Sequence, residues 1–230
     1  MRQLYVVPII HTSADMGSLA FGLDQASAAS LGRQEWLEYK ETVSRFWESV
    51  SDFFHRLNVS GFKLYQDGLV AEGDEGLRIV REGKRKGSKN FEILCTLVSR
   101  GAVLVKTEDV GLVRQERAQI SRILSARSAR EKQVAGGRYK RMQDKLMARR
   151  DDVVAKRIEQ TLHEGEAGIL FIGAYHDVLA RLPADIRISQ IKEVAKVRQY
   201  HRAVAGESMD REARRKLPEY LASPVNELSF

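Results

Sequence analysis

The pattern of this chain predicts an α/β protein: a mostly parallel central sheet flanked by helices, with a basic helical hairpin inserted. Three observations carry that expectation. Short apolar runs of strand type alternate with helical periodicity along the chain, the alternation that builds βαβ units. Two runs, Leu4–Ile10 (LYVVPII) and Ile169–Ile172, are apolar throughout, as in strands buried on both faces. The positive charge is concentrated in one segment, residues 110–163, which holds 14 basic and six acidic residues, an excess of eight over a chain of net +7.

Those strands give the order of elements. Leu4–Ile10 is the first and ends at His11. A loop of small and turn-forming residues follows, in which Asp15 reads as a turn aspartate or as a partner for His11. From Gln34 to Leu57 an aromatic stripe through Trp36, Tyr39, Val43, Phe46, Val50 and Phe53 recurs at spacings of three and four. Such a stripe marks core or an interface with a second copy. His55 in that helix is read as structural.

Residues 61–66 (GFKLYQ) form the second strand, turned by Asp67-Gly68. A short helix over 72–86 is followed by one capped by Ser88 and ended by Gly101. Residues 102–106 (AVLVK) make the third strand. Thr107 then caps a helix whose first turn holds Glu108 and Asp109. The basic segment reads as two narrow-striped helices broken at Gly136-Gly137. After the strand at 169–172, residues 186–188 alternate as a fifth, edge strand, and Ser189 caps a last helix. The domain boundaries follow: one α/β domain over 1–205, and a polar tail or docked arm over 206–230.

Composition narrows the function classes. With 43% hydrophobic and 30% charged residues, the chain has the balance of a soluble globular protein. Its single cysteine, Cys95, excludes an intrachain disulfide and a cysteine zinc cluster, and reads as core packing. Pro8, His11 and Asp15 interrupt the opening in a way secretory signals do not, and no apolar run has membrane-spanning length. A cytoplasmic protein with no membrane span is expected. Nucleic acid is a candidate partner of the basic arm, although Tyr139 is its one aromatic residue and no known nucleic-acid-binding motif is visible.

The chemistry is expected where strands end. His11, Asp67, Glu108 and His176 each follow a predicted strand, and parallel neighbouring strands would bring all four to one rim. Two imidazoles and two carboxylates suit a divalent ion such as Mn, Fe, Co or Zn, with His11, His176 and Asp67 as ligands. A bound metal would lower the pKa of a water for attack on an amide, ester or phosphate. Without a metal, a histidine–carboxylate pair serves as general acid and base. Arg150 neutralises an anionic substrate or lies on a helix surface; Tyr175 hydrogen-bonds a substrate or packs.

The stretches LYVVPIIH at 4–11 and GILFIGAYH at 168–176, the second led in by RDDVVAKRIEQTLHEG from Arg150, resemble the TraB/PrgY/GumN/TIKI family. In that family a first strand and a later one each end in Gly-x-x-His. Gly173 and His176 match the motif directly; Pro8 stands for the first glycine and Asp67 for a glutamate, and the stretch GFKLYQDGL suggests a separate branch. The resemblance implies a fold of the erythromycin esterase/ChaN-like superfamily and a metal-dependent hydrolase of peptide or ester bonds. The alternatives are a non-catalytic binding or regulatory protein of the same fold, one that pairs as a homodimer, and nucleic-acid binding through the arm.

Overall fold

The structure is a computed structural model that describes residues 1–12 and 32–225. Asp15 and most of the loop after His11 lie outside the described residues. Five strands form an all-parallel sheet: β1 (Arg2–Ile9), β2 (Lys63–Gln66), β3 (Val103–Leu104), β4 (Ala167–Gly173) and β5 (Ile186–Gln190), in the order β3-β2-β4-β1-β5. The α/β class and the parallel sheet are as the sequence predicts, with β5 at an edge. Residues of the two central strands alternate between two cores, the period-two consequence of the pleat. Tyr5, Val7 and Ile9 enter one core, and Leu4 and Val6 the other.

The first core is covered by α1 (Arg33–His55), α2 (Gly73–Arg85), α3 (Lys89–Ser99), α6 (Val194–Val204) and α7 (Arg211–Ala222). The aromatic stripe of α1 is spent here, with Phe46, Trp47, Val50 and Phe54 at most 2% exposed. Leu217 and Leu221 of α7 are buried in the same core, so this part of the polar C-terminal region is a packed helix. The second core is covered by α5 (Ala129–Thr161), through Val154, Ala155 and Ile158, and by the short turn after β4 with Val178 and Leu179.

The first described helix after β1, α1, packs on one face, and the turn after its neighbour β4 packs on the other. Such a divergence opens a crevice beyond the carboxyl ends of the strands. The registers Ile9 with Gly173 and Gln66 with Phe171 bring the strand ends level there. Pro8, lacking an amide donor, is accommodated because β5 pairs with β1 only as far as Val6, leaving Pro8 a strand neighbour on the β4 side alone.

Three helix boundaries differ from the sequence expectation. The basic arm is α4 (Val110–Leu124) folded back on α5, and it breaks at residues 125–128, not at Gly136-Gly137. The reason is a capping box: Ser128 accepts a bond from the Glu131 amide, while the Glu131 carboxylate accepts from the Arg127 amide. Thr107 does not cap α4. Asp109 does, accepting from the Gly111 and Leu112 amides, and the Thr107 hydroxyl ties β2 to β3 by accepting from Gln66 and donating to the Val105 carbonyl. Ser189 lies within β5, and the Gln190 side chain accepts the Val194 amide at the start of α6. Ser88 caps α3 as expected. Among the described residues, no helix is long and apolar enough to cross a membrane.

Candidate functional site

Beyond the carboxyl ends of the strands lies a cluster of buried charge assembled by β2, β4, α4 and α5. Helix α5 supplies its centre. Leu146, Arg150, Val154 and Ile158 recur every four residues on the inward face of this helix, so Arg150 is carried inside with the apolar residues of its row. Its guanidinium is 5% exposed and meets three carboxylates. Nη2 donates to Asp67 Oδ1 and to Glu108 Oε1, each at 2.5 Å, Nε donates to Glu108 Oε2 at 3.3 Å, and Nη1 donates to Glu116. Tyr139, one end of the arm's packing, donates its hydroxyl to Glu116.

The next residue, Asp151, is equally buried and serves His176. Its Oδ1 lies 2.5 Å from His176 Nδ1, and its Oδ2 accepts the Asp177 amide. The other imidazole nitrogen, Nε2, faces Asp67 Oδ2 at 3.4 Å. Asp67 is fixed in turn by the Gly173 amide, which donates to Oδ2 at 3.1 Å. Gly173 leaves room at the end of β4, where a Cβ would stand 3.1 Å from that oxygen and 3.2 Å from the His176 ring, tighter than such contacts usually are. Arg198 of α6 holds the backbone of this turn by donating to the Ala174 and His176 carbonyls.

These contacts set the protonation states. Burial alone would lower the His176 pKa, but the charge of Asp67 and hydrogen bonds to Asp151 and Asp67 outweigh it and push the value up to about 10. His176 is thus an imidazolium at neutral pH. Burial would raise the Asp67 carboxyl, yet His176, Arg150 and His11 hold it well below the usual carboxylate range. Burial opposes the charge of Arg150 too, and Asp67, Glu108 and Glu116 overcome that and hold it protonated. Glu108 goes the other way: burial pushes it up, more than its bond to Arg150 brings it down.

The expected site residues are distributed as follows. Asp67, Glu108, Arg150 and His176 share one interior network. His11 is exposed at the end of β1; its backbone carbonyl accepts the Tyr39 hydroxyl, and its ring lies close enough for its charge to act on both Asp67 and His201. Arg150, expected to neutralise a substrate or lie on a helix surface, does not lie on the surface: it is buried among three carboxylates. Tyr175 is 54% exposed and stacks on His201 with ring centroids 5.9 Å apart. His201 is half-buried, and its loss of contact with water lowers its pKa to about 4, so that ring is neutral.

A metal held by His11, His176 and Asp67 does not fit this arrangement. Both His176 nitrogens already face carboxylates, and Asp67 is bonded to Arg150 and to the Gly173 amide. Among the described residues, no three His, Cys, Asp or Glu side chains are grouped to hold an ion. Sequence reasoning missed Glu116, Asp151, His201 and Arg198. The signal for Asp151 was its place three and four residues before Val154 and Ala155, on the inward face of the same helix. Compared with known proteins, the chain matches no family model, no curated protein and no solved structure.

Proposed function

We propose that the protein is a hydrolase of small ester or peptide-type substrates, working in the crevice beyond β1 and β4 with two histidines as acid and base. The observation that carries the reading is the clamp on His176. Asp151 fixes Nδ1, leaving Nε2–H directed at Asp67 across a long 3.4 Å contact that a substrate oxygen or nitrogen can share. As an imidazolium, His176 donates the proton to the leaving group when the ester or amide bond breaks. His11, exposed on the neighbouring strand end, accepts a proton from the attacking water. Asp67 steadies the charge between them. Two histidines in contrasting environments divide acid from base roles. The Gly-x-x-His ending of β4 is the feature this reading shares with the TraB/PrgY/GumN/TIKI family.

The site carries four carboxylates, Asp67, Glu108, Glu116 and Asp151, against Arg150 and His176; because they are bonded to those two cations, a metal-dependent reading would require Asp67 to leave Arg150. One experiment separates the two. Purified protein is assayed against a panel of chromogenic esters and amides, with and without chelator, alongside His176→Asn and His11→Ala. The acid–base reading expects chelator-resistant turnover, reduced by about 100-fold or more in each variant. Turnover abolished by chelator and restored by one ion selects the metal reading. No turnover of any substrate, or full turnover in both variants, removes the hydrolase and leaves a binding protein.

A further inference from the structure

On α5, Arg138, Arg141, Lys145 and Arg149 are spaced three, four and four residues apart and all are exposed. That spacing sets them in one row along one helix face, about 16 Å from first to last at 1.5 Å rise per residue. Asp144 is the carboxylate within the stretch, and none of the four pairs with it or with any other among the described residues. Elsewhere on the surface some exposed cations are matched by nearby carboxylates, as Arg45 is with Glu41, Arg78 with Glu75, Lys86 with Glu82 and Arg215 with Glu219, while others such as Arg33, Lys40 and Arg81 are not. The arm is set apart by the length of its row, four unmatched cations along one helix face among the described residues.

The character of the row selects its partner. Cations every 4.5 to 6 Å, roughly, three of them arginines, suit a linear array of phosphates. Base stacking of single strands needs exposed aromatic rings, and Tyr139, the arm's single aromatic residue, has its hydroxyl bonded to Glu116 against α4. Insertion into lipid needs several large apolar side chains beside the cations, whereas the row has one, Val134 a turn before Arg138, and Leu146 next to Lys145 is buried. The geometry points to α5 docking on the phosphate backbone of a double-stranded nucleic acid without reading its bases. This surface lies apart from the crevice residues and does not depend on the hydrolase reading.

The test titrates the full chain against a fluorescently labelled random-sequence DNA duplex, one of its single strands and phosphatidylserine vesicles, over a range of salt. Duplex binding is expected to weaken steeply with salt, because each phosphate contact releases counterions. A variant carrying Arg138→Gln, Arg141→Gln, Lys145→Gln and Arg149→Gln is expected to bind about tenfold or more weaker at low salt, with a log–log salt slope shallower by about three to four. A control with the same change in net charge, Arg45→Gln, Lys86→Gln, Lys89→Gln and Arg215→Gln, is expected to keep the parental slope. Should the first variant lose its circular dichroism melt, the pairs Arg138→Gln/Arg141→Gln and Lys145→Gln/Arg149→Gln replace it, each flattening the slope by about two. Equal losses in variant and control overturn the proposal. So does an absence of duplex binding at low salt, or tighter binding to the single strand or the vesicles.

Discussion

Arg150 and Asp151 are consecutive on one helix and answer opposite charges: the arginine meets Asp67, Glu108 and Glu116, while the aspartate meets His176. Each carboxylate pair in the crevice is therefore separated by a cation, and α5 supplies one member of both kinds of contact. Removing Arg150 leaves three acidic groups facing one another in a low-dielectric interior. Arg150→Met is expected to cost about 3 to 5 kcal/mol of stability at neutral pH. Part of that loss returns on acidification, as the abandoned carboxyls take up protons. Urea titrations at neutral and mildly acidic pH check this; a variant with the parental midpoint at both would show that the network contributes nothing to stability.

His176 makes stability depend on pH in a definite direction. Its folded pKa of about 10 lies above the ordinary 6.5. The contribution is therefore fully present below pH 6.5, and it is lost as pH rises through 6.5 toward 10. Asp67, held below its ordinary value of 3.8, contributes above that value and loses its contribution as pH falls further. The expected measurement is a thermal melt series from pH 6 to 10 for the parent and for His176→Asn. The parent should lose stability across the window more steeply than the variant, and identical slopes would remove His176 as the cause.

Two glycines should respond oppositely to alanine. At Gly173 the added Cβ meets Asp67 Oδ2 and the His176 ring, and neither is free to move because Arg150 and Asp151 hold them. Gly173→Ala is expected to cost about 1 to 3 kcal/mol and to lengthen the Asp67–His176 contact. At Gly136, inside α5, a Cβ meets nothing within 4 Å. Gly136→Ala should therefore stabilise by up to about 1 kcal/mol, the helix propensity difference. Chemical denaturation of the two single variants checks both signs.

The same glycines show what the sequence can and cannot display. The four-residue apolar run before Gly173 was legible as a buried strand because both of its faces pack, and the aromatic stripe of α1 because its period is helical. His176, Asp67 and Glu108 were legible as strand-end residues, since parallel strands place such positions on one rim. Gly136-Gly137 misled because a glycine's cost to a helix is about 1 kcal/mol, which a helix with a capping box and a packed far end absorbs. The pairing of Asp67, Glu108 and Glu116 around Arg150 is a matter of distance in three dimensions, with sequence separations of 83, 42 and 34 residues, and no local pattern encodes it.

Lys192 offers a test of how the C-terminal helix is held. Its side chain is buried, and Nζ donates to the carbonyls of Tyr220, at 3.1 Å, and Ser223, at 2.6 Å. Those carbonyls belong to the end of α7; that of Tyr220 also accepts from the Ser223 amide and hydroxyl, while that of Ser223 lies past the last helical residue, Ala222. Burial lowers the lysine pKa to about 8, so the ammonium form is kept at neutral pH at some cost in desolvation. Lys192→Met keeps the aliphatic stem but removes the donor to the Ser223 carbonyl and one of the donors to that of Tyr220, which is expected to cost about 1 to 3 kcal/mol. The loss should fall on α7, because β1 and β4 do not touch Lys192 through these bonds. Hydrogen exchange should speed up at the amides of residues 214–222 while those of β1 and β4 keep their protection. Uniform acceleration throughout the chain would instead mean that α7 and the sheet unfold as one unit, with Lys192 acting on the whole molecule.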